Sequence, residues 1–511
     1  MAHLGSRRTR VLTLPVGLAL TASLGFLPTS AASAAPSDGL PTAAVSTDGP
    51  KMSYVVNTRA NHGTVKQVKK AIAAAGGTVV VAHEQIGVIV AHSSNPDFAK
   101  TIRKTRGVES AGATRTAPLQ SVATTEEGGT ELLTAEEAAK AAEAAGPGQE
   151  PLEPNQWDMR AIQADKASKI NDGSASVTVG VIDTGVDDTH EDLKANFSRK
   201  QSANCVGGVA DTTEGAWRPY TNGSDHGTHV AGTIAAARNG IGVTGVAPGV
   251  KVAGIKVSEP GTGLFYTEAV VCGFVWAAEH GIEVTNNSYY VDPWYFNCKD
   301  DPDQKGLLDA LTRATKYAER KGVLNVAAAG NENYDLASDE ILDESSPNDS
   351  TPGPRTVDPR KCFDIPTQLP GVVTVSSTGS QGFKSYYSSF GLGVADVSAP
   401  GGDRWQVPAT PDANGRVLST VVNGEYGYKQ GTSMATPHVA GVAALLKSTH
   451  PTATPAQLQE LLKAQAVNPG CPSKVYNSAG QLIDATTCKG GGKVNGYYGH
   501  GVVNALNAVR W

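Results

Sequence analysis

From Trp157 onward the sequence predicts an α/β fold, a mainly parallel sheet with helices on both faces. A small α+β unit precedes it. Three observations carry this reading. Short apolar runs alternate with helical segments along the longer, C-terminal part of the chain. Residues 52–118 follow a β-α-β-β-α order instead. Between the two, residues 119–155 turn Thr- and Glu-rich, then Ala-rich, and close on Gly146-Pro147-Gly148, a composition shift that marks a boundary. With 511 residues the chain exceeds one ordinary core, and 40% hydrophobic with 18% charged residues fit a soluble globular protein. A net charge of −6 is mild for this length and gives no reason to expect nucleic acid or a membrane as partner. Nothing in the pattern points to an oligomer, so a monomer is expected.

Taken in order, the chain opens with Arg7, Arg8 and Arg10, an apolar segment from Val11 to Leu27, and Ala31-Ala32-Ser33-Ala34-Ala35-Pro36. This reads as a signal peptide over residues 1–35, cut after Ala34 or Ala35, and implies a secreted, extracellular protein. Pro15, Gly17 and Gly25 in the apolar segment argue against a membrane anchor. Ser6-Arg7-Arg8 has the start of a twin-arginine signal, but Arg10 stands where that pattern wants an apolar residue, which favours the general secretory route.

Residues 36 to about 50 are a polar lead-in. The unit after it has a strand at Ser53–Asn57, a helix capped by Thr64 and stopped by Gly76-Gly77, strands at Thr78–Ala82 and Gly87–Ala91, and a helix from Asn95 to Arg106 ended by Gly107. This is a split βαβ, ferredoxin-like order. The boundary stretch 119–155 reads as a linker with a short helix over Glu136–Ala145 and an accessible cut site, so processing is expected between Gln120 and Gln156.

In the larger part the strand candidates are Val177–Ile182, Val250–Val257, Ile282–Asn287, Val323–Ala329 and Val372–Ser376. Helix candidates are His226–Ala236, Leu264–Glu279 and Gly306–Lys321. Functional groups in such a sheet belong at the carboxyl ends of strands, where Asp183 and Asn331 stand. All six cysteines lie in this part, an even number that suggests three disulfides in an exported chain. Six cysteines allow 15 pairings, of which Cys471–Cys488 is favoured because it closes one C-terminal loop. No C-x-x-C pair exists, which excludes a zinc site of that type.

Three stretches carry the chemistry. Gly431-Thr432-Ser433-Met434-Ala435-Thr436-Pro437-His438 brings a serine to the start of an apolar-periodic helix, where Pro437 is tolerable because the first N–H groups have no partner. Alone, Ser433 reads far better as a helix cap than as a nucleophile. Val177 to Gly185 is an apolar run ending in Asp183. His226-Gly227-Thr228-His229 opens an Ala-rich helix. With these residues, in the order Asp, His, Ser, the sequence from about Trp157 to the C-terminus resembles the subtilisin-like serine peptidases, or subtilases.

The resemblance implies that Ser433 is the nucleophile, His226 the base that takes its proton, and Asp183 the buried acid that orients the base. Ala327-Ala328-Ala329-Gly330-Asn331-Glu332 matches the family's oxyanion block, with Asn331 as side-chain donor beside the backbone N–H of Ser433. His229 is a packing residue by the same resemblance, and His438 reads as a structural histidine by default. The substrate-binding set is Ser288, Tyr289, Tyr290 and Gly330. Tyr289 and Tyr290 depart from the usual Leu-Gly and either fill pocket volume between the subsites or pack elsewhere.

A structural Ca2+ is implied, held by Asp192, the Asn239 side chain and the carbonyls of Ala237, Ile241 and Val243. The unit at 52–118 is similar to subtilase propeptides, which assist folding and inhibit the mature domain. An ordinary binding domain is the other reading. The expected layout is signal peptide 1–35, propeptide 36–118, linker 119–155 and peptidase domain 156–511. Segments Asp292–Asp303 and Tyr334–Pro370 exceed a minimal family member and read as disulfide-pinned surface loops near the cleft.

The expected function is a secreted, calcium-stabilised serine endopeptidase that cleaves proteins or peptides through an acyl-enzyme and matures from its own zymogen. The alternatives are a processing protease of narrow specificity and a silent binding homologue. The latter should lack a triad member or Asn331, and none is missing.

Overall fold

The computed structural model describes residues 49–116 and 127–510. The expected signal peptide and the first part of the expected processing stretch lie outside them. The N-terminal unit runs β1 (Met52–Thr58), α1 (His62–Ala74), β2 (Gly77–His83), β3 (Val88–Ser93), α2 (Phe98–Ile102) and β4 (Val108–Ala113). Its antiparallel sheet has the order β2-β3-β1-β4, and Val56, Val65, Val68, Ile72, Ile89, Phe98 and Ile102 form its core. Asn61, not Thr64, caps α1: its side chain accepts from Thr64 N at 2.8 Å. The second helix is far shorter than Asn95–Arg106. Pro96 disfavours helical backbone at Asn95, whose side chain instead accepts from Asp97 N at 3.0 Å and donates to Ala75 O at 3.0 Å.

The stretch read as a linker carries β5 (Glu127–Leu132) and α3 (Ala135–Ala144). A capping box between Thr134 and Glu137 starts that helix.

The larger part contains β6 (Thr178–Asp183), β7 (Ala203–Asn204), α4 (His226–Ala235), β8 (Lys251–Lys256), α5 (Thr267–Glu279), β9 (Val284–Asn287), α6 (Pro302–Arg320), β10 (Leu324–Ala328), β11 (Val372–Thr378), β12 (Val397–Pro400), β13 (Val417–Thr420), β14 (Tyr426–Gln430) and α7 (Thr432–Thr449). Seven strands form one sheet in the order β12-β11-β10-β9-β6-β8-β7, paired parallel throughout. This is the expected α/β architecture. Both faces are covered. Val179, Val181, Val284 and Val326 pack with α4 and α7, while Ile182, Ile255 and Ala327 pack with α5 and α6. Burial on two faces explains why β6 reads as a continuous apolar run. A second, antiparallel sheet joins β13, β14 and β5, so the would-be linker is paired to the strand that leads into α7.

Three disulfides are present: Cys205–Cys272, Cys298–Cys362 and Cys471–Cys488. The second pins the two extra surface segments to each other. Among the described residues no helix is long and apolar enough to cross a membrane.

The N-terminal sheet lies on α6. Asn57 Nδ2 donates to Gly306 O at 2.8 Å, Ser110 Oγ to Asp309 Oδ2 at 2.6 Å, and Arg103 pairs with Asp303. Val55, Ile86 and Val88 pack with Leu307 and Leu311, and at one crossing the two backbones meet directly. A Cβ at Gly306 would stand 2.5 Å from Gly112 N, and one at Gly112 would stand 2.1 Å from Asp303 O.

Candidate active site

Asp183 ends β6, Ser288 follows β9 and Asn331 follows β10, so the carboxyl ends of three adjacent strands bring them to one edge. His226 is the first residue of α4. Its Nδ1 lies 2.7 Å from Asp183 Oδ1, and both side chains are buried. Asp183 Oδ1 also accepts from Thr184 N at 2.7 Å, which fixes the carboxylate against the ring. Ser433 sits in the first turn of α7 and is 3% exposed; its Oγ donates to Ser288 O at 3.1 Å.

Pro437 is the sixth residue of α7, beyond the N–H groups that lack partners, so its tolerance has another cause. Its missing N–H leaves Ser433 O without the usual helical donor. Ser288 Oγ donates to that carbonyl instead, at 2.9 Å. Ser288 therefore holds the serine residue through both its hydroxyl and its carbonyl.

Asn331 is oriented by a residue that the sequence reading passed over. Thr432 donates to Asn331 Oδ1 through both its N and its Oγ1, each at 2.9 Å. With the amide oxygen so engaged, the nitrogen is the donor end. The signal was in plain view: Thr432 adjoins Ser433 in the same motif. Gly330 has a φ of +97°, and a Cβ there would stand 1.9 Å from Tyr295 Oη, so no other residue fits. A cavity of about 440 Å³ opens beside Asn331, lined among others by Glu332, Lys384, Tyr386 and Tyr476.

The two tyrosines after Ser288 part company. The Tyr289 ring is 3% exposed, stacks on Phe265 at 4.6 Å between centroids, and donates its hydroxyl to Asn287 Oδ1 at 2.9 Å. It packs in the core and does not fill a pocket. Tyr290 is half-buried, lies 4.6 Å from the Tyr295 ring, and accepts from Asn348 Nδ2 at 2.7 Å. It thus joins the extra surface segment to the ring beside Gly330.

His229 is fully buried and close to the carbonyls of Val417 and Gly427, at 3.1 Å each. Burial, and then the Lys429 charge, push it down to about 3, as suits a neutral packing residue. His438 bridges Met434 O and Asp158 Oδ2 inside the core.

The expected calcium ligands are close together but do not fit a cation as they stand. Asp192 Oδ1 accepts from Asn239 Nδ2 at 3.0 Å, and Oδ2 accepts from Val243 N and Tyr426 Oη, both at 2.9 Å. Asn239 turns its oxygen away, to Ile241 N. The Glu150 carboxylate takes the Gly240 and Ile241 amides. Donor hydrogens thus meet both Asp192 oxygens and the Asn239 oxygen, so the two side chains of the expected set are engaged elsewhere. Among the described residues no group of three or more His, Cys, Asp or Glu side chains could hold a metal.

The Subtilase family profile matches residues 174–501. The chain is 35% identical to the subtilisin of Bacillus pumilus over 308 residues, covering 60% of this chain and 89% of that protein. It is also 35% identical to subtilisin NAT of Bacillus subtilis subsp. natto over 292 residues, but spans only 61% of that protein's length and 57% of its own. In structure it resembles the epidermin leader peptide processing serine protease of Staphylococcus aureus, with a TM-score of 0.64, 24% identity, and coverage of 90% of this chain and 98% of that one. At that identity the likeness concerns the fold. The profile covers the whole parallel sheet and every residue at its carboxyl edge described above, and by that measure the chain belongs to the subtilase family.

Proposed function

We propose that the chain is a secreted serine endopeptidase, made as a zymogen that removes its own N-terminal unit. The observation that carries this is the 2.7 Å contact between His226 Nδ1 and Asp183 Oδ1, buried at the carboxyl edge of the sheet, next in space to the helix that Ser433 heads. A carboxylate on Nδ1 leaves Nε2 as the basic nitrogen.

In the mechanism, Ser433 Oγ attacks the scissile carbonyl and gives its proton to His226. Asp183 stabilises the imidazolium. His226 then protonates the departing amine, and water hydrolyses the acyl-enzyme by the same steps in reverse roles. The oxygen that becomes negative is met by Asn331 Nδ2 and the Ser433 backbone N–H. Proteins or peptides are the substrates, and the unit docked on α6 acts as intramolecular inhibitor until it is cut off between Gln120 and Gln156. A narrow-specificity processing protease is the second reading. It is favoured by Tyr290, whose ring lies 4.6 Å from that of Tyr295, the residue that stands against Gly330.

Mass spectrometry of the secreted wild type beside Ser433→Ala tests this. Once the signal peptide is gone from both, the wild type should lose its N-terminal unit and hydrolyse casein, and the variant should keep that unit and hydrolyse none. Identical masses and equal casein hydrolysis for the two would overturn the assignment of Ser433.

A further inference from the structure

Two residues beyond β4, Arg115 leaves the N-terminal unit and enters the larger part. Its guanidinium carbon stands 4.1 Å from the centroid of the Tyr266 ring. Its Nη2 donates to Glu259 Oε1 at 2.9 Å and to Glu268 Oε1 at 3.0 Å. Tyr266 is 0% and Glu268 1% exposed, and the second Glu268 oxygen is buried without a hydrogen-bond partner. Among the described residues Arg115 is the ion-pair partner of both acids. The next residue, Thr116, is held too: its N donates to Asp349 Oδ2 at 2.9 Å.

This site is joined to the catalytic edge through one stretch of backbone. Tyr266 forms a parallel bridge with Asp292, and Asp292 N donates to Phe265 O at 2.9 Å. Asp292 is four residues past Ser288, about 13 Å of extended chain at roughly 3.3 Å per residue. Any cut that releases the N-terminal unit lies beyond Arg115, so Arg115 stands on the acyl side of the bond.

The chemistry of the site outlasts the arginine that fills it. Once the N-terminal unit departs, two neighbouring carboxylates, one of them almost fully buried, lose their counter-charge, a situation that strongly favours a replacement cation. An ammonium can pair with the acids, but a planar guanidinium also stacks flat on the tyrosine while reaching both carboxylates. We propose that Glu259, Glu268 and Tyr266 form a subsite that selects an arginine on the N-terminal side of the scissile bond of substrates. Arg115 occupies it as the zymogen's own stand-in. The proposal rests on the peptidase reading above.

The test uses the secreted enzyme as wild type, Glu268→Gln, Glu259→Gln and Ser433→Ala. Internally quenched peptides carry Arg, Lys or Leu in turn at each of several residues before a fixed scissile bond. At one position wild-type kcat/KM should favour Arg over Leu by at least about tenfold, the order expected for hydrogen bonds to a charged group, with Lys between them. That Arg/Leu ratio should fall toward one in both glutamine variants. A wild type that cleaves with no Arg preference overturns the subsite alone, as does a ratio unchanged in both variants. A wild type that cleaves nothing beyond Ser433→Ala overturns the peptidase reading and the subsite with it.

Discussion

Asp292 is a residue whose charge state the fold controls. It sits between Phe265 N, which donates to one carboxylate oxygen, and Asn348 Nδ2, 2.6 Å from the other. Burial raises its pKa from 3.8 to about 7, against the opposing pull of those hydrogen bonds. The sign for stability follows. Between those values the unfolded chain has released a proton that the folded chain keeps, so stability falls as pH rises from about 4 to about 7. Asp292→Asn should gain on the wild type steadily across that window in Tm against pH; parallel curves would remove the claim. At this scale the sequence was informative about chemistry and poor about direction. Asp183, His226 and Asn331 could be named from motif residues because their neighbours in sequence, Thr184 and Gly330, are also their neighbours in space. Tyr289 and Tyr290 could not be separated, because which ring turns inward depends on Phe265 and on Asn348, remote in sequence from each other.

Elements show the same division. Five of the seven parallel strands were readable to within a residue or two because both faces are buried, whereas the edge strands β7 and β12 were not named. The start of α6 was missed by four residues, although Asp301 accepts from Asp303 N and Gln304 N and Pro302 takes the first helical position. The acidic run there looked like a solvated loop. β5 was not legible at all, since its pairing with β14 is a long-range event that local composition does not encode.

The loop at 237–243 matches a calcium-binding pattern in residue types, yet Tyr426 and Glu150, both outside the pattern, close it with hydrogen bonds. Excess chelator should therefore leave Tm unchanged. Tyr426→Phe should cost about 1 kcal/mol, the usual worth of one such bond, by denaturant unfolding. A chelator-induced drop in Tm would restore the metal.

For the whole molecule, the docking of the N-terminal sheet on α6 includes one crossing, Gly112 on Gly306, with no side chain between the backbones. Gly306→Ala, placed in the uncut Ser433→Ala background, should force the two backbones apart and cost about 1–3 kcal/mol, as overpacking does. A calorimetric trace or a limited-proteolysis pattern identical to the parent would show that the contact is not close in solution. The two-part architecture was readable because each part has its own periodicity and its own core. How the parts meet was not, since Gly112 and Gly306 look like ordinary strand and helix glycines until they face each other.

The pairing of β5 with β14 gives the place of the proposed cut a colloidal meaning. Severed ahead of Glu127, the chain keeps β5 as a new N-terminal arm, and β14 stays covered on both sides. Severed after Leu132, it would lose that arm and bare a row of backbone donors and acceptors, a ready template for other chains. Solubility at high concentration would then report where the chain was opened.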